Sequence, residues 1–209
     1  MKVLLLNGSP RKEGCTFTAL SEVAKTLNQN GIDNMKVLVT QIMLPVAIFH
    51  ALATSEIFQA GDPDKDNVKA AAAKLKEADA LVVGSPVYWA SPTGQIIEFM
   101  DKLCSMAGKD MLHKPAAAVA SARRAGTTAT LDVLQKYFSY HEMPVVSANY
   151  WNMVHGNTPA EVQQDEEGLQ IMRTLGSNMA WLLKCIEAGK AAGITTPQAE
   201  DKIKTNFIR

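Results

Sequence analysis

Short apolar runs alternate with amphipathic helical patterns along the chain, and this alternation constrains the fold more than any other feature. The apolar runs predict strands at 2–7, 35–39, 80–84, 116–122 and 144–147. Apolar residues at helical spacing predict helices at 16–30, 68–77, from Ser91-Pro92 through Leu103, at 127–140 and at 168–188. Five such β/α units imply one doubly wound parallel α/β sheet, so we expect a single domain over residues 1–209. Such sheets bind ligands beyond the carboxyl ends of their strands.

The composition limits the partners of the chain. Lys plus Arg and Asp plus Glu number 21 each, which leaves no basic surplus for nucleic acid or an anionic membrane. The three cysteines are far apart, and the four histidines show no metal-ligand spacing, so we expect no disulfide framework and no metal site. The chain enters its first strand directly, without a signal peptide, and no later apolar run is long enough to span a bilayer. We therefore expect a cytoplasmic protein.

The loop after the first strand has the composition of an anion site. It reads NGSPRKEGCT, with the hydroxyls of Ser9 and Thr16 and the charges of Arg11 and Lys12, and it lies between a strand and a helix N-terminus. The dinucleotide pattern GxGxxG and the triphosphate pattern GxxxxGK[ST] are both absent, and no arginine follows Cys15 at the spacing of a cysteine phosphatase. A loop for one terminal phosphate remains, and the alternative is a solvated turn with an incidental arginine.

Two further loops are expected at the same end of the sheet. GSPVYWASPTG (84–94) carries two rings, Tyr88 and Trp89, on a segment stiffened by prolines, which suits stacking on a flat ring system. Alternatively, these rings pack on a helix or on a second subunit. SARRAGTTAT (121–130) offers a glycine for close backbone approach and two arginines, although paired arginines are more often a solvated face. The coincidence of three such loops predicts a ligand site.

Together with NYWNMVHG (149–156), these segments resemble the NADPH-dependent FMN reductases, on the branch that includes iron–sulfur flavoproteins. The resemblance implies a flavodoxin-like fold of strand order 2-1-3-4-5 with FMN as cofactor. Its phosphate is then expected on Ser9, Arg11, Cys15, Thr16 and Thr18. Its isoalloxazine ring is expected against Pro86, Val87, Tyr88 and Trp89. The pyrimidine edge of that ring is expected to face Ser121, Arg123 and Gly126.

The resemblance also implies an activity. It implies hydride transfer from NAD(P)H to bound FMN and then to a quinone, a flavin or another small acceptor, without a catalytic acid or base from the protein. It implies a homodimer or homotetramer. Two alternatives stay open: a flavodoxin-type electron carrier without NAD(P)H turnover, and a binding protein that has lost the flavin. Such carriers are usually strongly acidic, whereas this chain is neutral.

One segment departs from the family pattern. The iron–sulfur branch carries closely spaced cysteines between its first and second helices, and residues 34–66 of this chain contain no cysteine. Because iron–sulfur clusters need several thiolates, we expect no cluster of that kind here.

Overall fold

A parallel sheet forms the centre of the fold, in a computed structural model that describes residues 1–32, 56–59, 65–198 and 200–208. The strands are β1 (Val3–Asn7), β2 (Glu56–Gln59), β3 (Ala80–Pro86), β4 (Ala116–Ala122) and β5 (Met153–His155). They are ordered β2-β1-β3-β4-β5, and their pairings are all parallel. The helices are α1 (Cys15–Gln29), α2 (Lys65–Glu77), α3 (Gly94–Ala107), α4 (Thr127–Tyr140), α5 (Pro159–Val162) and α6 (Glu166–Ala191).

Helices cover both faces of the sheet and form two apolar cores. Leu5 and Val82 point to the side where α1 packs against α6. Leu4 and Val83 point to the other side, where α2, α3 and α4 lie. Since successive side chains of a strand face opposite sides, a strand covered on both faces is a continuous apolar run, as β1 is from Val3 to Leu6. The prediction of an α/β fold with a parallel sheet and helices is confirmed.

The predicted position of the fifth strand, residues 144–147, is wrong. Residues 144–147 contribute only a bridge between Val145 and Ala116, and the strand beside β4 is β5, Met153–His155. The edge of β4 is thus covered twice, at its start by this bridge and at its end by β5, where the N–H of Ala120 donates to the carbonyl of Asn152 at 2.9 Å. Residues 147–151 leave the sheet in between. β5 is three residues long and lies in a stretch rich in polar and aromatic residues, so it shows no apolar run. The predicted second strand at 35–39 lies outside the described residues.

Other elements differ from the sequence predictions mainly at their ends. The α3 helix begins after Thr93 rather than at Ser91-Pro92, because the Thr93 hydroxyl accepts a hydrogen bond from the Ile96 N–H at 3.3 Å. The α1 helix ends where the sequence predicted, with Gly31 in a left-handed conformation at φ +76°. Among the described helices, none is long and apolar enough to cross a membrane.

Two glycines let the β1–α1 loop cross the end of β3. The N–H of Gly8 donates to the carbonyl of Gly84 at 2.7 Å. A Cβ atom on Gly8 would lie 2.7 Å from Cβ of Ile96 and 2.9 Å from the carbonyl oxygen of Gly84. No side chain fits there, so glycine at position 8 is a packing requirement of the fold.

We expect Gly8→Ala to lower the free energy of unfolding by about 1–3 kcal/mol, because the added methyl group must displace backbone and α3. Gly94→Ala is the matched control, since a methyl group there has no neighbour within 4 Å. The control should be neutral or more stable by up to about 1 kcal/mol. Urea denaturation measures both changes, and equal stability of Gly8→Ala and wild type would contradict the close approach.

Candidate functional site

A cleft lies at the carboxyl ends of β1, β3 and β4, where the loops after these strands meet. Its volume is about 180 Å³. The residues that line it are Ser9, Arg11, Cys15, Thr16, Pro86, Val87, Tyr88, Ser121, Ala122, Arg123, Gly156 and Asn157. A larger apolar groove of about 580 Å³ lies between α3 and α4, but it contains no strand end and no helix N-terminus. The cleft is therefore the better candidate for a functional site.

A buried asparagine at the end of β1 shapes the first wall of the cleft. The Asn7 amide nitrogen donates to the carbonyl of Lys12 at 3.1 Å, and its amide oxygen accepts from the N–H of Ser9 at 3.1 Å. The Ser9 hydroxyl in turn accepts from the N–H of Arg11 at 3.1 Å. These bonds fold the β1–α1 loop back on itself, so that it leads into α1 beside the cleft.

The N-terminus of α1 directs the partial positive charge of the helix dipole toward the cleft. Its N-cap is Gly14, which provides no side-chain cap, and its first turn contains no acidic residue. The first N–H groups of a helix have no partner within the helix, and the helix dipole adds partial positive charge to them. Arg11 adds a full charge next to this helix end. An anion is the ligand that this arrangement favours.

The thiol at this helix end stays neutral. Burial raises the pKa of Cys15, and the neighbouring charge of Arg11 offsets this only in part. The Cys15 Sγ atom donates to the carbonyl of Gly156 at 3.5 Å. Because the thiol is not a thiolate at neutral pH, it does not compete for the positive end of α1.

A buried hydrogen bond joins two walls of the cleft. The hydroxyls of Thr16, on α1, and Ser121, at the end of β4, are 2.8 Å apart. Both residues are buried, Thr16 completely. This bond links the first turn of α1 to the end of β4, although the two residues are 105 positions apart in sequence.

The aromatic loop is a tight turn in an unusual conformation. Tyr88 and Ser91 exchange two backbone hydrogen bonds of 2.9 and 3.0 Å. Between them, Trp89 and Ala90 have φ angles of +54° and +55°, which non-glycine residues rarely adopt. Gly126, at φ +95°, lies so close that a Cβ atom there would be 2.8 Å from Cα of Ala90. The β4–α4 loop therefore packs directly against the aromatic turn.

The structure brings most of the predicted site residues together, with three exceptions. Thr18 lies on α1, but its hydroxyl donates to the carbonyl of Gly14 at 3.2 Å and does not reach the cleft. Trp89 is fully exposed at the tip of its turn. Gly126 contacts the aromatic loop rather than the cleft. The other predicted residues all line the cleft.

The sequence analysis missed three lining residues, Ala122, Gly156 and Asn157. Gly156 and Asn157 directly follow β5, and they were missed because the fifth strand was placed too early in the chain. With β5 placed correctly, the rule that ligands bind beyond strand ends would have identified them. Their loop is held by two carboxylates, as Asp165 accepts from the N–H of His155 at 2.6 Å and Glu161 from that of Asn157 at 2.7 Å.

Comparisons with known proteins agree with this geometry. The profile of the family described as NADPH-dependent FMN reductase matches residues 1–158. An iron–sulfur flavoprotein of Methanocaldococcus jannaschii is 30% identical over 195 residues, which cover 90% of this chain and 100% of that protein. Two solved structures share the flavodoxin-like fold. One is a flavodoxin from the domain Archaea, with a TM-score of 0.60 at 16% identity over 88% of this chain and 99% of that chain. The other is an NADH:FMN oxidoreductase in its apo form, with a TM-score of 0.58 at 16% identity over 87% and 89%.

An iron–sulfur cluster, which the name of the archaeal relative ascribes to that protein, does not fit the residues of this chain. Such clusters are held by four cysteine thiolates as a rule, and the whole sequence contains three. Cys15 packs on the side of α1 and α6, whereas Cys104 packs on the side of α2, α3 and α4. The sheet separates these two thiols, so they cannot bind one cluster.

We expect Thr16→Val to lower the free energy of unfolding by about 1–3 kcal/mol, because it leaves the Ser121 hydroxyl buried without its partner. The control is Thr174→Val on α6, where the lost bond to the Gln170 carbonyl is exposed, and a change within about 0.5 kcal/mol is expected. In a double-mutant cycle with Ser121→Ala, the second substitution should cost less once Thr16 has been changed. Additive costs in urea denaturation would show that the two hydroxyls are not coupled.

Proposed function

The chain belongs to the NADPH-dependent FMN reductase family, and on this premise we propose that it binds FMN in the cleft and transfers electrons from NAD(P)H to a small acceptor such as a quinone or a free flavin. The observation that carries the proposal is the uncapped N-terminus of α1 beside Arg11, on the floor of a cleft with an aromatic wall. Its partners would be small molecules and further copies of the chain, in a cytoplasmic setting.

The phosphate end of the ligand is proposed to lie at the start of α1. There the free N–H groups of the first helical turn would donate to its oxygens, and Arg11 would neutralise part of its charge. Thr16 stands at the same place, although its hydroxyl already shares a hydrogen bond with Ser121. One helix end and one arginine suit a single phosphate better than a chain of two or three.

The flat end of the ligand is proposed to lie against Pro86, Val87 and Tyr88. These residues end β3 and begin the aromatic turn, and their side chains form the apolar wall of the cleft. Arg123 and Asn157 also line the cleft, where they would donate hydrogen bonds to carbonyl oxygens at the edge of a ring. The cationic end of the cleft fits the phosphate of a flavin mononucleotide, and the apolar wall fits its ring system.

The redox chemistry is that of the cofactor, which when bound accepts a hydride from a nicotinamide and gives up its electrons to the acceptor. The protein contributes binding and orientation. None of the described lining residues is needed as an acid or base for this transfer. Tyr88 is about half exposed at the lip of the cleft, where an incoming planar substrate would meet its ring.

The flavodoxin-type carrier is the competing function. The likeness to a flavodoxin and the likeness to an oxidoreductase are nearly equal, so the fold alone does not separate them. The formal net charge of zero favours the reductase, because carriers that dock on protein partners are usually strongly acidic.

We expect Arg11→Ala to weaken FMN binding about 10- to 100-fold, because the phosphate loses one charge-assisted hydrogen bond. Arg173→Ala is the matched control, since Arg173 pairs with Glu22 on the outside of α1 and α6, away from the cleft. Quenching of FMN fluorescence on titration measures both affinities. Equal affinity of the two variants would place the phosphate elsewhere.

We expect the FMN-loaded protein to oxidise NADPH or NADH in the steady state when a quinone or free FMN is added. A spectrophotometric assay at 340 nm measures this rate, and the control is the FMN-free protein assayed with the quinone alone as acceptor. A protein that binds FMN but does not turn over nicotinamide would be an electron carrier. A protein that remains colourless after addition of FMN would have lost the flavin.

A further inference from the structure

Residues 155–158 form one wall of the cleft, and we call them the β5 loop. They comprise the last residue of β5 and the three residues that follow it, with the sequence HGNT. Gly156 and Asn157 of this loop line the cleft. None of the four residues carries a large apolar side chain, so burial of apolar surface does not fix the loop. Its position depends on hydrogen bonds.

Three of these hydrogen bonds tie the β5 loop to other walls of the cleft. The N–H of Gly156 donates to the carbonyl of Ala122 at 3.0 Å, and its carbonyl accepts from the Cys15 Sγ atom at 3.5 Å. In the ring of His155, Nε2 lies 3.0 Å from the carbonyl oxygen of Arg124. Because a carbonyl only accepts, Nε2 carries the proton of this bond. The β5 loop therefore contacts α1, β4 and the β4–α4 loop.

A single carboxylate joins the β5 loop to the long helix α6. The Oδ2 atom of Asp165 accepts from the N–H of His155 at 2.6 Å, and its Oδ1 atom accepts from the N–H of Gly168 at 2.9 Å. Asp165 is the N-cap of α6, and Gly168 lies in the first turn of that helix. A Cβ atom on Gly168 would clash with Oδ2 of Asp165, so the helix leaves room for this carboxylate.

The cap of α6 alone does not require an aspartate at position 165. Serine, asparagine and aspartate are about equally good N-caps, because each offers one oxygen to an N–H of the first turn. Only a carboxylate offers a second acceptor oxygen, since serine has a single oxygen and asparagine has an amino group in that place. The second oxygen of Asp165 is the one that holds the β5 loop.

The other carboxylate at this loop does not anchor it to the body of the fold. Glu161 accepts from the N–H of Asn157 at 2.7 Å, but it belongs to α5, a helix of four residues that follows the loop directly. The α6 helix is 26 residues long and packs against α1. Asp165 therefore fixes the loop to a rigid part of the fold, which Glu161 does not.

We propose that Asp165 is a positioning residue for the ligand of the cleft, a role that rests on the proposed binding of FMN. Asp165 does not line the cleft itself. By holding the N–H of His155, it fixes the backbone that leads to Asn157 and places the His155 ring on the carbonyl of Arg124. The residues that it positions in the cleft are Asn157 and, through the β4–α4 loop, Arg123.

The first test is the affinity of Asp165→Ser for FMN, measured by quenching of FMN fluorescence. We expect it to be about 5- to 20-fold lower than that of wild type, because the N–H of His155 loses its acceptor while α6 keeps its cap. The visible absorption band of the bound flavin should also shift, which the loss of a helix cap would not cause. Gln163→Ser is the matched control, since it shortens an exposed side chain two residues earlier, and its affinity should equal that of wild type.

The second test disturbs the same hydrogen bond without changing Asp165. In Gly168→Ala, the added methyl group takes the place of Oδ2, so the carboxylate must move away from His155. Alanine favours a helix more than glycine does, so α6 itself should be no less stable. We expect a lower affinity for FMN here as well. Exchange of the His155 amide hydrogen, followed by NMR in the FMN-free protein, should be about tenfold faster in both variants.

The outcomes separate this role from the proposed function. Equal affinity for FMN in wild type, Asp165→Ser and Gly168→Ala would overturn the positioning role. A lower affinity with unchanged exchange of the His155 amide would also overturn it, since the effect would not pass through that bond. Both results leave FMN binding standing, whereas a wild type without affinity for FMN would overturn the proposed function and this role with it. If Asp165→Ser does not fold, Gly168→Ala decides.

Discussion

The contact between Gly8 and Gly84 is the constraint on which the cleft depends. A backbone hydrogen bond of 2.7 Å holds the β1–α1 loop against β3, and it requires that position 8 carry no side chain. This approach places the N-terminus of α1 next to the ends of β3 and β4, where the hydroxyls of Thr16 and Ser121 meet. A helix N-terminus beside Arg11 and an apolar wall thereby share one cleft, although their residues are distant in sequence.

The sequence predicted those features whose physical cause is local. Continuous apolar runs identified β1 and β4, because both faces of these strands are covered. The loop composition predicted Arg11 and Tyr88 at the rim beyond the strand ends, and both line the cleft there. β5 was not predicted, because a strand of three residues at a sheet edge is too short to show a hydrophobic pattern. Whether the side chains face the cleft depends for Thr18 on its bond to the Gly14 carbonyl in α1 and for Trp89 on the geometry of its turn, and residue types determine neither.

The cleft of this chain contains no cysteine cluster among its described lining residues, although the archaeal relatives are named iron–sulfur flavoproteins. The cleft is built from the ends of strands and the start of α1, and none of its described walls involves a cysteine cluster. Cys15 contributes a neutral thiol, bonded to Gly156. The geometry of the cleft therefore does not depend on cluster ligands.

The hydrogen bonds of Asn7 reduce the conformational entropy that the β1–α1 loop would lose when a ligand binds. Because a completely buried strand residue holds both Ser9 and Lys12, the loop cannot loosen without exposing the end of β1. Its backbone has thus already lost its conformational entropy when the chain folds. An arriving ligand meets a preorganised loop, so little of its interaction energy is consumed in ordering the protein.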